Sequence, residues 1–344
     1  MTSTTETDLV TRPLSPTGKK RGMPRLPVLD GWRGISILLV MAAHLLPLGP
    51  KRFELNEAVA KMGMALFFML SGFLITSTLF FDPSVRNFAI RRSFRILPGA
   101  WLYLAVVLIA VRPARAVWLD NLLFTVNSPP YRFVEGLTNQ FWSLGVEVQF
   151  YLFIALLFLV LRQRALALLP FVCIAVTLGR VYTGETTSIR TIYRVDEILA
   201  GGSLAYLFHS GLSTYLRRTL SGINPAIPIA LLCLGSYHGL APLQYLRPYF
   251  ACIAVGTTLF HEGTWWSRFL ESKTLVYLAA VSYALYVWHL LTTVGWFHQG
   301  SKVMIYAKRP LGLAITFLIA HLSTFYWEKY WTGVGKRLIK RRAA

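Results

Sequence analysis

Long apolar stretches separated by short basic connectors recur along almost the whole chain, and they limit its fold more than any other feature. About ten of these stretches approach the ~20 residues that a helix usually needs to cross a bilayer. The sequence therefore predicts an all-α integral membrane protein with about ten transmembrane helices. The predicted spans are 31–48, 60–81, 96–111, 142–161, 165–182, 194–211, 225–240, 247–261, 274–294 and 309–330.

The composition agrees with this class. Hydrophobic residues make up 55% of the chain and charged residues only 15%, which favours an integral membrane protein over a soluble one. A net charge of +20 could indicate a nucleic-acid partner. The lysines and arginines are concentrated in the connectors, however, so membrane topology explains them and we expect no nucleic acid. The three cysteines form no CxxC pair and are expected to be packing residues.

The distribution of basic residues predicts the orientation of the chain. Under alternation of ten spans, most basic connectors fall on the side of the two termini, which the positive-inside rule places in the cytoplasm. Residues 1–24 lack an apolar run and are predicted to be a disordered cytoplasmic tail. A transmembrane domain is predicted over 25–332 and a basic cytoplasmic tail over 333–344. We expect a multi-pass protein of the plasma (inner) membrane.

Arg33 and His44 are ionisable residues on the first predicted span. They lie eleven positions apart, so on a helix they share one face with about 16 Å of axial rise between them. Taken alone, Arg33 could reach lipid headgroups and His44 could be a helix contact. Because both residues lie on one face, a functional role inside the protein is favoured. An imidazole there can act as a general base on a hydroxyl. No second ligand stands at i+3 or i+4 of His44, so we expect no metal.

Arg91, Arg92 and Arg95 follow the second predicted span. If this connector is helical, their spacing places them on a common face. Guanidinium groups bind phosphate through two parallel hydrogen bonds, so the cluster is a candidate cytoplasmic site for a phosphorylated cofactor. Topology alone would also place basic residues here.

Glu147 lies on a polar stripe of the fourth predicted span. Ser143, Glu147 and Tyr151 recur every four residues on an otherwise apolar helix. A carboxylate in this position needs a cationic or hydrogen-bonding partner, and either His44 or an arginine is expected to provide it.

Two further polar groups are candidates for an additional site. Arg194, Asp196 and Glu197 lie together at the start of the sixth predicted span, where a structural ion pair is favoured over catalysis. Ser282, Tyr286 and His289 are spaced four and three apart on the ninth span and share a face. Tyr286 could be an interfacial anchor, but His289 adds a titratable group.

Six motifs in this order resemble the acyltransferase-3 family of multi-pass membrane O-acyltransferases, over about residues 28 to 330. The motifs are Leu29-Asp-Gly-Trp-Arg-Gly34 followed by His44, Phe67-Phe-Met-Leu-Ser-Gly-Phe-Leu74, Arg91-Arg-Ser-Phe-Arg-Ile-Leu-Pro98, Phe141-Trp-Ser-Leu-Gly-Val-Glu147, Tyr193-Arg-Val-Asp196 and Ser282-Tyr-Ala-Leu-Tyr-Val-Trp-His289.

The resemblance implies transfer of an acyl group, usually acetyl, from cytoplasmic acyl-CoA. The implied acceptor is a sugar hydroxyl of an envelope or secreted glycan or of a small glycosylated product. Val148 stands where the family often has a second acid, so paired carboxylates are not expected here. The family's functional positions fall on Arg33, His44, Arg92, Arg95 and Glu147.

The resulting hypothesis is an intramembrane tunnel that leads the thioester from the arginines to His44. His44 would act as the base, with Glu147 orienting the imidazole or stabilising its charged form. Alternatively, an acyl group would be carried on His44 or Tyr286. Because no esterase-like domain follows the last span, we expect the chain to act alone, as a homo-oligomer or with a separate extracytoplasmic partner. The competing hypotheses are a transporter or flippase for a glycan or lipid-linked sugar and a non-catalytic scaffold.

Overall fold

The computed structural model of this chain describes residues 25–341, where all regular secondary structure is helical. The predicted tail 1–24 and residues 342–344 lie outside the described residues. Of the predicted C-terminal tail, residues 333–340 belong to the last helix. The α-helices are α1 (Pro27–Leu45), α2 (Leu55–Phe81), α3 (Val85–Val111), α4 (Arg115–Leu122), α5 (Phe141–Leu161), α6 (Arg164–Thr183), α7 (Thr191–Arg194), α8 (Asp196–His209), α9 (Ser213–Ser221), α10 (Ala226–Ser236), α11 (Ala241–Leu259), α12 (Trp265–Leu270), α13 (Lys273–Trp288), α14 (Lys302–Leu322) and α15 (Lys329–Lys340).

Seven helical segments are long and apolar enough to cross a membrane, or eight if the sharply bent pair α9 and α10 forms one span. They are α1, α2, α3, α5, α6, α13 extended to Thr293, and the continuous segment from α14 to α15. This supports a multi-pass membrane protein, but the predicted count of ten is not confirmed. α8 and α10, with 14 and 11 residues, are about 21 and 17 Å long and fall short of a ~30 Å hydrocarbon core.

Local sequence signals explain several helix boundaries. α1 begins at Pro27, a residue favoured at the first helical position because its missing N–H needs no partner there. Ser84 caps α3 by accepting a hydrogen bond from the backbone N–H of Asn87 at 3.2 Å. α6 ends at Gly184, whose φ of +72° closes the helix in the left-handed region.

α2 is the central helix, and its backbone lies directly against that of α8. A Cβ atom on Gly72 would lie 1.8 Å from the carbonyl oxygen of Ile198, and one on Gly201 would lie 1.8 Å from that of Met69. Neither position can hold a side chain unless the helices separate. Small residues that allow such close approach are typical of helix packing in membranes.

α1 packs in the same way against α12 and α13. A Cβ atom on Gly31 would lie 2.1 Å from the carbonyl oxygen of Leu270, and one on Gly34 would lie 2.6 Å from that of Leu275. Because α1 and α13 are in such close contact, the ends of these two helices carry His44 and His289 to the same place.

Candidate active site

A cavity of about 600 Å³ lies at the His44 end of α1. Its wall comes from α1, α2, α5, α13 and α14, and from the segments before α5, between α6 and α7, and between α13 and α14. The side chains on this wall that can donate or accept hydrogen bonds or carry charge include His44, Gln140, Trp142, Tyr286, His298 and Arg309. The volume falls within the range of ligand-binding pockets.

His44 faces this cavity with one free ring nitrogen. Its Nδ1 lies 2.9 Å from the carbonyl oxygen of Val40, one turn earlier on α1. Because a carbonyl only accepts, Nδ1 carries the hydrogen, and Nε2 of the neutral ring then carries a lone pair. The His44 side chain is exposed and lines the cavity. This tautomer is the one that a general base or nucleophile requires.

His289 packs against His44 from α13. The two ring centroids are 5.0 Å apart and the rings meet edge to face. His289 is fully buried and donates from Nδ1 to the carbonyl oxygen of Tyr286 at 2.7 Å. Within residues 25–341 its Nε2 has no hydrogen-bond partner. The pairing of these two histidines was not predicted from the sequence.

Tyr286 also reaches the cavity, whereas Ser282 does not. The Tyr286 hydroxyl donates to the backbone carbonyl of Gln140 at 2.8 Å and lies 2.5 Å from the Ser143 hydroxyl. Ser282 is buried and donates to the carbonyl oxygen of Ala279 on its own helix. Of the predicted stripe, Tyr286 lines the cavity, His289 lies buried against His44, and the Ser282 hydroxyl is bonded within its own helix.

Arg33 lies about three turns away from His44 on α1, among other charged groups. Arg95, Glu147 and Arg92 are the charged side chains close enough to act on it electrostatically. Its guanidinium carbon lies 5.9 Å from the centre of the Phe67 ring. The structure thus brings together the predicted basic residues of two helices.

Glu147 belongs to this cation cluster and not to the histidines. The Ser71 hydroxyl donates to its Oε1, and the Tyr151 hydroxyl donates to the same oxygen at 2.5 Å. Of the two partners considered for Glu147, an arginine is the one nearby. The Nδ1 of His44 is bonded to the carbonyl oxygen of Val40 on its own helix and not to Glu147, so the role predicted for Glu147 at His44 stays a prediction.

Of the three clustered arginines, Arg91 points away from the others. It is exposed and pairs with Asp82 at 2.6 Å. Partial burial acts to raise the pKa of Asp82, but hydrogen bonds from Asn87 and Arg91 outweigh it. The pKa is therefore below its usual value and the carboxylate stays charged. The prediction that all three arginines share one site is therefore corrected to Arg92 and Arg95.

Arg92 and Arg95 are partly buried and face aromatic rings. The guanidinium of Arg92 lies 5.5 Å from the centre of the Tyr151 ring, and that of Arg95 lies 6.0 Å from the centre of the Tyr283 ring. Arg95 is also 3.9 Å from the buried carboxylate of Glu328. Aromatic faces stabilise guanidinium groups without neutralising them, so the cluster keeps a positive charge.

Phe67 of α2 lies close to both the cavity residue Tyr286 and the cation cluster. Its ring stacks on Tyr286 at a centroid distance of 5.7 Å, and the guanidinium carbon of Arg33 lies 5.9 Å from its centre. The residues that line the His44 cavity do not include Arg33, Arg92 or Arg95. The cavity and the cation cluster are thus two different groups of residues, the buried Phe67 ring contacts one member of each, and the tunnel between them stays a prediction.

A family model described as an acyltransferase domain matches residues 26–327 of this chain. The chain belongs to the acyltransferase-3 family. No solved structure matches it.

The acyltransferase-3 relatives of this chain include peptidoglycan O-acetyltransferases. The peptidoglycan O-acetyltransferase OatA of Listeria monocytogenes is 27% identical, with a match covering 88% of this chain and 55% of OatA. The provisionally named peptidoglycan O-acetyltransferase YrhL of Bacillus subtilis is 26% identical, with 92% and 56% covered. The chain thus spans little more than half the length of these two relatives.

In this acyltransferase-3 chain, Arg194 and Asp196 lie in a buried ion network. Asp196 pairs with Arg180 of α6, while Arg194 lies 3.4 Å from Glu197, which also pairs with Arg247 of α11 at 2.8 Å. Within the predicted group Arg194 pairs with Glu197, whereas the partner of Asp196 is Arg180, which lies outside that group. Asp196 does not line the cavity. Arg194 approaches its wall, since its guanidinium lies 5.5 Å from the Trp142 ring.

Several residues of this family site were not predicted. Ser71 and Phe67 lie in a family motif. The sequence around them does not indicate that Ser71 binds Glu147 or that Phe67 contacts both Tyr286 and Arg33. Gln140 and Arg309 line the cavity from segments far apart in the chain. The signal for Arg309 was a charge at the start of the tenth predicted span. No group of three or more metal-ligating side chains occurs among residues 25–341.

Proposed function

We propose that this chain transfers an acetyl group from acyl-CoA to a sugar hydroxyl of a cell-envelope glycan. The observation that carries the proposal is the position of His44, with a free ring nitrogen on a cavity at one end of α1 and a cation cluster at the other. The name of the Listeria relative favours peptidoglycan as the acceptor. We place the Arg33 end of α1 at the cytoplasmic face of the plasma membrane.

The cation cluster suits the phosphates of a CoA donor. Arg33, Arg92 and Arg95 carry three positive charges, and the acids near them are Glu147 and Glu328. The surplus positive charge and the fork geometry of guanidinium favour phosphate groups. The axial rise of about 16 Å between Arg33 and His44 is comparable to an extended pantetheine arm.

Phe67 must turn aside for a thioester to reach His44. Its ring lies between the two ends and contacts both Arg33 and Tyr286. In the proposal, donor binding at the arginines displaces this ring and opens the passage. The ring otherwise separates the cytoplasmic end from the acceptor cavity.

His44 then activates the acceptor hydroxyl. Its Nε2 takes the hydroxyl proton while the acceptor oxygen bonds to the acyl carbon, and the carbon–sulfur bond breaks to release the thiolate, which receives that proton. If the acyl group is first carried on the protein, the same nitrogen is the nucleophile. The Tyr286 hydroxyl is a poorer carrier, because it is bonded to the Gln140 carbonyl and to Ser143.

The test is transfer of label from acetyl-CoA by the purified protein in lipid nanodiscs with peptidoglycan fragments as acceptor. His44→Ala is expected to insert and fold but to lower the rate by about 10²-fold or more. His261 provides a matched control, because its Nδ1 also bonds a carbonyl one turn earlier, at 2.7 Å from Thr257, away from the cavity. His261→Ala should keep the wild-type rate.

Normal transfer by His44→Ala would refute the role of this residue. Movement of glycan across vesicles without any acetyl transfer would favour the transporter hypothesis instead.

A further inference from the structure

The wall of the His44 cavity has a single sign of charge. Its lining includes Arg309 and two histidines, His44 and His298, but no aspartate or glutamate. Arg309 is the fixed positive charge, since guanidinium stays protonated in proteins. A cavity with this lining attracts anions and repels cations.

Arg309 is not neutralised by the protein. Within residues 25–341 it forms no ion pair. One of its terminal nitrogens reaches the backbone carbonyl of Thr292 at 3.4 Å, and its Nε is buried without a hydrogen-bond partner. A partly buried guanidinium at membrane depth is costly unless an anion or acceptor meets its remaining donors.

The neighbouring lysine is used differently. Lys308 donates to the carbonyl oxygens of Trp296 and Gln299 at 2.8 and 2.9 Å, and its ammonium lies 4.3 Å from the centre of the Trp296 ring. Lys308 does not line the cavity. Two adjacent cations thus point to different surroundings, and only Arg309 is directed to the site.

The rest of the wall suits a sugar. Phe133 and Trp142 offer aromatic surface, and the Oε1 of Gln140 is buried without a partner in the described residues while its amide nitrogen is held by Val287. A carbonyl oxygen in this state can accept a hydrogen bond from a sugar hydroxyl. The guanidinium of Arg309 and the amide of Gln140 therefore line the same cavity as His44.

We propose that the acceptor carries an anionic group, a carboxylate or a phosphate, which Arg309 binds while the reacting hydroxyl is directed to His44. This inference rests on the proposed function and names the class of acceptor. A bidentate pair between guanidinium and an oxyanion fixes orientation as well as position. Arg309 would then select which hydroxyl is acetylated.

The test measures equilibrium binding of three probes to the protein in zwitterionic nanodiscs. The probes are p-nitrophenyl glucuronide, p-nitrophenyl glucoside 6-phosphate and neutral p-nitrophenyl glucoside. The wild type is expected to bind at least one acidic probe about tenfold more tightly than the neutral one. Arg309→Gln should remove this preference, Arg309→Lys should reduce it, and Lys308→Gln should keep it. The stronger acidic probe identifies the anion.

Equal binding of the acidic and neutral probes by the wild type, or no binding of any probe, would overturn the inference without need of a variant. An unchanged preference in Arg309→Gln would also overturn it, as would loss of the preference when anionic lipid is added to the nanodiscs. Binding requires no chemistry, so the two proposals can fail separately. Acidic-probe binding without acetyl transfer would refute only the proposed function.

Discussion

At the scale of single residues, the orientation of each charged side chain decides its role. Arg91 and Arg92 are adjacent in sequence, yet the first pairs with Asp82 at the surface and the second lies over the Tyr151 ring. Helical spacing places residues on a common face, but partners from other helices determine which of them reach the site. The donor end is therefore expected to depend on Arg92 and Arg95 and not on Arg91.

Arg92→Lys and Arg95→Lys should each raise the KM for acetyl-CoA by roughly 10-fold, because an ammonium cannot form the two parallel hydrogen bonds of a guanidinium. Arg91→Lys is the matched control and should leave the KM unchanged. Steady-state kinetics at fixed acceptor concentration measure the effect. Equal effects of all three substitutions would show that the cluster acts only through its total charge.

Phe67→Leu should increase acetyl-CoA hydrolysis in the absence of acceptor. A smaller side chain would no longer separate the donor end from the water-accessible cavity around His44. Thiol release, followed with a chromogenic reagent, measures the change. Phe73→Leu is the control, because Phe73 is equally buried on α2 but contacts Phe208 and His209 instead. Unchanged hydrolysis in Phe67→Leu would contradict the separating role.

At the scale of helices, close backbone contacts set the geometry of the site. α2 carries both Phe67 and Ser71, and its position is fixed by the contact between Gly72 and the backbone of α8. A shift of α2 would move the separating ring and the Glu147 partner together. The packing of these helices is thus a requirement for function as well as for stability.

Gly72→Ala should prevent normal folding or lower the free energy of unfolding by roughly 3 kcal/mol or more, because the new Cβ would overlap the carbonyl of Ile198. Gly179→Ala in α6 is the control, since nothing lies within 4 Å of its added Cβ. Alanine there should be neutral or slightly stabilising. Thermal unfolding in detergent compares the two, and a wild-type midpoint for Gly72→Ala would contradict this contact.

At the scale of the whole molecule, a buried ion network joins the short helix α8 to the longer helices α6 and α11. Arg180 of α6 pairs with Asp196 at the start of α8, and Glu197 of α8 pairs with Arg247 of α11. These side chains are almost completely shielded from solvent. Charged residues lower the apolarity of α8 and α11, but their opposite charges pair with one another in the protein interior.

Asp196→Asn should lower the free energy of unfolding by roughly 3–5 kcal/mol, because Arg180 would remain buried without its counter-charge. Asp120→Asn is the control. It breaks a pair with Arg132 at 3.0 Å in which both residues are partly exposed, worth about 1 kcal/mol or less. Chemical unfolding followed by tryptophan fluorescence measures both changes. A loss of equal size in the two variants would contradict the structural role of the network.

The sequence by itself determined the helical membrane class, the family and the common face of Arg33 and His44. These features depend on hydropathy and on a period of 3.6 residues, which are local properties of the chain. The helix count was less predictable, because short helices such as α8 depend on neighbours that bury their ends.

Only the tertiary structure decided that His289 meets His44, that Glu147 joins Ser71 and the arginines, and that Phe67 contacts both Arg33 and Tyr286. His44 and His289 are separated by most of the chain, and their contact follows from the close packing of α1 on α13. Such pairings arise from the shapes of whole helices, which no local pattern specifies.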